Sequence, residues 1–93
     1  MKIEDTLAER GARYGKFADH AVICQGIKQS MWCHPGWQRL AEDQKQALET
    51  IADKIARMLN GDPNYIDNWR GIIGYAKLVE DRLVGMLPKA ETA

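Results

Sequence analysis

The chain lacks most of the features that would assign it a chemistry at once. It has two cysteines, Cys24 and Cys33, with no Cys-x-x-Cys pair and no Cys/His pattern of zinc-site spacing. Neither a disulfide framework nor a zinc finger can be read from it. Both cysteines are expected as reduced thiols of a cytosolic protein, with Cys24 buried. Cys33 and His34 are adjacent, which is poor geometry for sharing a metal or for working as nucleophile and base. No apolar run approaches the length of a membrane span, and the start is charged at Lys2, Glu4 and Asp5, so no membrane association or leader is expected. Neither charge is in excess: 13 basic residues balance 13 acidic ones. A protein whose main work is neutralising a phosphate backbone carries a basic surplus, so direct DNA binding is not expected, although a small phosphorylated ligand remains compatible. There is no internal repeat, no low-complexity segment and no complete phosphate-loop motif.

What the chain does have is helical periodicity. At 93 residues it is expected to form one domain, 1–93, with a modest core. Residues 3–10 read as a short helix. Gly11 and Gly15 punctuate the Ala-Arg-Tyr-Gly stretch that follows, which reads as a loop or helix break. A second helix is expected from Phe17 to Met31, and a loop over 32–37 that Pro35-Gly36 turns and Trp32 and Trp37 flank. The third covers about 41–59, with Glu42 and Asp43 in the first turn where they suit the macrodipole. The fourth begins near Pro63 or Tyr65 and ends near Met86. Residues 88–93 read as a frayed tail.

The third and fourth helices organise the rest. Leu48, Ile51, Ala52, Ile55, Met58 and Leu59 draw one apolar stripe. Ile66, Trp69, Ile72, Ile73, Ala76 and Val79 draw another. Between them, Gly61 is expected to take the left-handed conformation, Asp62 to cap the fourth helix and Pro63 to open it. The fold class is therefore all-α, a compact bundle of about four helices with an antiparallel hairpin in its C-terminal half. Three Trp, four Met and the long last helix make self-association, as a dimer or higher oligomer, the expectation for so small a domain.

The hairpin also carries charge. Glu49 and Asp53 share a helix face, Lys54 and Arg57 follow on the same helix, and Asp67 opens the next. Carboxylates on two facing helices suit a Mg²⁺ ion, which prefers oxygen ligands. The same residues also fit solvated faces joined by i,i+4 pairs. Arg10, Arg13, Tyr14 and Lys16 crowd the glycine-punctuated stretch, where they can receive a phosphate and stack a base or simply brace a turn. His20, alone on its helix, is a weaker candidate as ligand or acid/base group.

The runs Glu-Arg-Gly-Ala-Arg-Tyr-Gly and Lys-Ile-Ala-Arg, Asn-Gly-Asp-Pro, Asp67-x-Trp69 and Gly74-Tyr75-Ala76 resemble a small phage and prophage domain related to the MazG-like all-α nucleoside triphosphate pyrophosphohydrolases. The resemblance spans about Leu7 to Leu83. It implies an oligomeric helical bundle that cleaves a nucleoside triphosphate between its α and β phosphates, giving a monophosphate and pyrophosphate. It further implies Mg²⁺ held by Glu49, Asp53 and Asp67, with Glu49 and Asp67 the catalytic carboxylates and the ions neutralising the phosphates and activating the attacking water. Lys54 and Arg57 would face the phosphates, with Arg13 and Tyr14 in support. Asn64 and Tyr75 are family-like without a separable role. The chain departs from the pattern at Gly71, where an Asp is expected one turn after Asp67. Such a loss impairs a metal site. It favours an alternative, a non-catalytic phage nucleotide-binding or counter-defence module working through an oligomeric bundle in the host cytoplasm. A plain helical interaction protein is the third reading.

Overall fold

The third helix is the hub because its inward residues are small. In the computed structural model, which describes residues 2–87, this helix runs Glu42–Asn60 and buries Ala47, Ala52 and Ala56. Side chains this short let neighbouring helices approach closely. Numbered in chain order, α1 is Ile3–Tyr14, α2 Phe17–Trp32, α3 Glu42–Asn60 and α4 Ile66–Gly85, with a 3₁₀ turn at Pro35–Arg39 between α2 and α3. No strand is present among the described residues. The chain is thus an all-α helical bundle. α3 packs most extensively on α4 and α2, while α1 touches α3 and α2 more lightly. The expected tail at 88–93 lies outside the described residues. Among the described residues no helix is long and apolar enough to cross a membrane.

α1 does not stop at Arg10. It continues through Gly11 to Tyr14, because a single helical glycine costs only about 1 kcal/mol. The break falls at Gly15, the one described residue with positive φ, at 76°. Two turns meet there. The Asn60 side-chain amide, at the end of α3, donates to the carbonyls of Tyr14 at 2.8 Å and Lys16 at 2.9 Å. The Asp62 N–H donates to the Arg13 carbonyl at 2.8 Å. A β-carbon on Gly61 would sit 2.1 Å from the Arg13 carbonyl oxygen and 2.6 Å from the Tyr14 Cα. Gly61 is therefore required for close backbone approach and not for the left-handed geometry expected of it; its φ is −140°.

The start of α4 is also later than expected. Asp62 does not cap it. Its carboxylate accepts from the Asn64 N–H at 2.9 Å within the turn, Pro63 precedes the helix, and Ile66 opens it. The Trp69 indole donates back to the Pro63 carbonyl at 2.7 Å and pins the turn. At the far end of the hairpin Arg82 donates to Asp43 at 2.6 Å, which fixes α3 and α4 as antiparallel.

The apolar residues of α4 divide between two faces. Asn68 is fully buried, and Ile72 and Val79 are half-buried. Ile66, Trp69, Ile73 and Ala76, expected on the core stripe with them, are exposed. The correction has a simple cause. At 100° per residue Ile72 and Ile73 cannot both centre on one contact, and the hairpin register chose Ile72.

Candidate functional site

The glycine break between α1 and α2 opens a groove of about 480 Å³, lined by Leu7, Arg10, Tyr14, Lys16, Phe17, His20 and Arg57 together with Gly11 and Gly15. Arg10 and Tyr14 are one helical turn apart on α1, so they share a face. Lys16 and Phe17 follow the Gly15 kink at the entry of α2. Arg57 reaches in from α3. Three cations and two aromatic rings thus converge, and no carboxylate is among the described lining residues.

The groove's floor is preorganised by ring contacts. Arg57 lies over the Tyr14 ring, 4.7 Å from its centroid. Tyr14 meets Tyr65 edge-on at 6.2 Å. Arg13 lies over Tyr65 at 4.7 Å, donates to its hydroxyl at 3.1 Å and pairs with Glu9 at 2.7 Å. Cation–π contacts hold a guanidinium in place without neutralising it, so Arg57 keeps its charge for a ligand. Phe17 is 82 % exposed and stacks on His20, with centroids 6.2 Å apart. A bare ring at the mouth of a cationic groove is a platform for another flat ring.

Behind His20 lies a second cluster, between α2 and α3. The Cys24 thiol donates to Asp53 Oδ1 at 3.1 Å, and Lys28 Nζ donates to Asp53 Oδ2 at 3.2 Å. His20 Nε2 is 3.6 Å from Asp53 Oδ1. Burial would raise the Asp53 pKa, but the Cys24 and Lys28 hydrogen bonds and the charges of Lys28 and His20 outweigh it and hold the carboxyl below its usual range. Burial pushes the Cys24 thiol up, and the carboxylate beside it adds to the shift. Burial works against the Lys28 charge, but its bond to Asp53 and the nearby acidic groups, Glu49 included, raise it overall.

The residues expected to form the site are divided by this arrangement. Tyr14 and Arg57 line the groove, and Arg13 braces it from behind. Glu49 and Asp53 share the α3 face that Lys28 approaches. Asp67 is exposed at the start of α4 and makes no hydrogen bond or ion pair among the described residues. The three carboxylates do not gather within one chain. Among the described residues the sole group of three metal-type donors is His20, Cys24 and Asp53, which includes neither Glu49 nor Asp67. Lys54 is not in the groove either. Its stem crosses α4 at Gly71, where a β-carbon would lie 2.2 Å from Lys54 Cε. Gly71, which had no structural motive in the sequence, thus seats a lysine side chain.

His34 and Cys33 are occupied locally: His34 Nδ1 accepts from the Gly36 N–H at 2.9 Å, and the Cys33 thiol lies 3.6 Å from the Ser30 carbonyl. Sequence reasoning had noted Arg10 and Lys16 but missed Phe17 as a site residue, and it missed Cys24 and Lys28. The signal for Phe17 was its place directly after the basic stretch. For the other two, 29 and 25 residues from Asp53, the sequence offered no local signal. Comparison with known proteins adds no assignment, since no family model, curated protein or solved structure matches the chain.

Proposed function

We propose that the chain is a nucleotide-binding module that takes a phosphorylated ligand with a flat ring into the groove between α1, α2 and α3. The observation that carries this reading is the convergence of Arg10, Lys16 and Arg57 on a groove walled by Tyr14 and Phe17, with no carboxylate among its described lining residues. Pockets for small ligands combine apolar and aromatic walls with a few placed polar groups, and this groove has that composition. The rings would sandwich the base, and the cations would hold the phosphates through charge-assisted bonds. As a phage-type domain, it would sequester a nucleotide or nucleotide signal.

Isothermal titration with ribo- and deoxyribonucleoside mono-, di- and triphosphates tests this. Binding is expected to strengthen with phosphate number. Lys16→Glu, at an exposed position, should weaken it at least tenfold, the ~1.5 kcal/mol of one charge-assisted hydrogen bond. Absence of heat with every nucleotide would remove the proposal.

Hydrolysis of the same ligand is the second reading. What favours it is that Asp53 sits one turn before Arg57 on α3 and touches His20, which also lines the groove. Pyrophosphate release with Mg²⁺, measured beside the titration, separates hydrolase from binder.

Self-association belongs to the proposal. On α4, Ile66, Trp69, Ile73, Ala76, Glu80 and Leu83 follow one another at alternating intervals of three and four, all exposed and all but Glu80 apolar. That is the heptad seam of a helix awaiting a like partner, and a second copy of the chain supplies one.

A further inference from the structure

We propose that His20, Cys24 and Asp53 form a three-ligand zinc site between α2 and α3. His20 and Cys24 are four residues apart on α2, so both face α3 from one side of the helix. Asp53 on α3 supplies the third donor, and one donor atom from each residue lies within 4.8 Å of the others. Zinc–ligand bonds of about 2.0–2.3 Å place tetrahedral donors roughly 3.3–3.6 Å apart. The observed separations, 3.6 Å from His20 Nε2 to Asp53 Oδ1 and 3.1 Å from Cys24 Sγ to the same oxygen, are close to that frame.

A hydrogen-bonded polar cluster without metal is the competing account, and His20 tells against it. Its side chain is only 13 % exposed. Its Nε2 is too far from Asp53 for a hydrogen bond, and its buried Nδ1 has no partner. The orphaned Nδ1 leaves that account with a costly unmet polar group, whereas either ring nitrogen can serve as the metal's one imidazole ligand. Cys24 is the donor that selects the metal class: thiolate with imidazole favours zinc over Mg²⁺ or Ca²⁺. On binding, the Cys24 S–H bond breaks, its proton passes to solvent, and the sulfur lone pair takes the metal. Lys28 keeps Asp53 Oδ2 and so holds the carboxylate with Oδ1 toward the other donors, an outer-shell role. With three protein ligands the fourth position is open, as in catalytic zinc sites. Because His20 also lines the groove, a bound metal would stand beside the phosphate-binding cations. The zinc site itself rests only on the cluster and holds whether or not the groove takes nucleotide.

Cobalt is the probe. The apo chain titrated with Co²⁺ should give tetrahedral visible bands and a thiolate-to-cobalt charge-transfer band saturating at one equivalent, both erased by Zn²⁺. Cys33→Ser should keep them. Cys24→Ser and His20→Ala, verified as folded by circular dichroism, should bind Co²⁺ more than about a hundredfold more weakly, beyond the range for loss of an outer-shell partner. In the unmutated protein, Zn²⁺ should protect Cys24 but not Cys33 from alkylation mapped by mass spectrometry. No charge-transfer band at excess Co²⁺, or protection of Cys33 alone, overturns the site.

Discussion

At the scale of single residues, the decisive contacts are few and small. Gly61 presses against the backbone of α1's last turn, so Gly61→Ala should destabilise the chain by about 1–3 kcal/mol, the range for overpacking; a urea midpoint falling with unchanged m-value checks it. Asn68 shows the opposite sign. It is fully buried, and neither its side-chain oxygen nor its nitrogen has a partner. Exchange for a similarly sized apolar residue relieves that penalty, so Asn68→Leu should raise stability by about 1–3 kcal/mol, read from the same titration. Neither effect was legible in the sequence. Asn-Gly-Asp-Pro announces a turn but not which backbone it will touch, and Asn68 sits in a helical pattern whose inward face could not be chosen in advance. Arg10, Tyr14 and Lys16 were legible as groove residues because they fall in one short stretch, close enough for local geometry to gather them.

At the scale of elements, α2 and α3 are joined by Asp53 as much as by apolar packing. Its folded pKa is held below the ordinary value, so its contribution to stability is present at neutral pH and above the unfolded carboxyl pKa. It is lost as pH falls through the folded value. Lys28 has the opposite linkage: its folded pKa is raised, and its contribution fades as pH rises through that value. Stability measured against pH should therefore fall on the acid side in the native chain, and Asp53→Asn should flatten that limb. An unchanged acid limb in Asp53→Asn would show that the pair carries no linkage. The hairpin itself was legible from helical period alone. The assignment of α4's residues to faces was not, since Ile66, Trp69, Ile72 and Ile73 all fit a broad apolar stripe and only the register with α3 separates them.

At the scale of the whole molecule, the chain is elongated, 54 × 31 × 22 Å, with a radius of gyration of 16.5 Å where about 12 Å is usual for this length. Among the described residues the buried ones are Cys24, three alanines and Asn68. Small side chains bury little area, so hydrophobic stabilisation within one chain is modest, while Trp69 remains 51 % and Ile73 68 % exposed. Both facts fit a partner on α4. Ile73→Glu, at the middle of that seam, should convert an oligomer to monomer in sedimentation velocity without loss of helicity; a native chain already monomeric at high concentration would count against the seam.

α1 has no buried residue, yet it supplies Leu7, Arg10, Gly11 and Tyr14 to the groove. An element with so little packing opens locally at small free-energy expense, on its own and ahead of the rest. The binding-competent groove is then only the fraction of molecules with α1 docked, and measured affinity is scaled by that fraction. Amide hydrogen exchange should find α1 the fastest helix in the free chain and the one most slowed by ligand, so that its docking acts as a rheostat on the groove's occupancy.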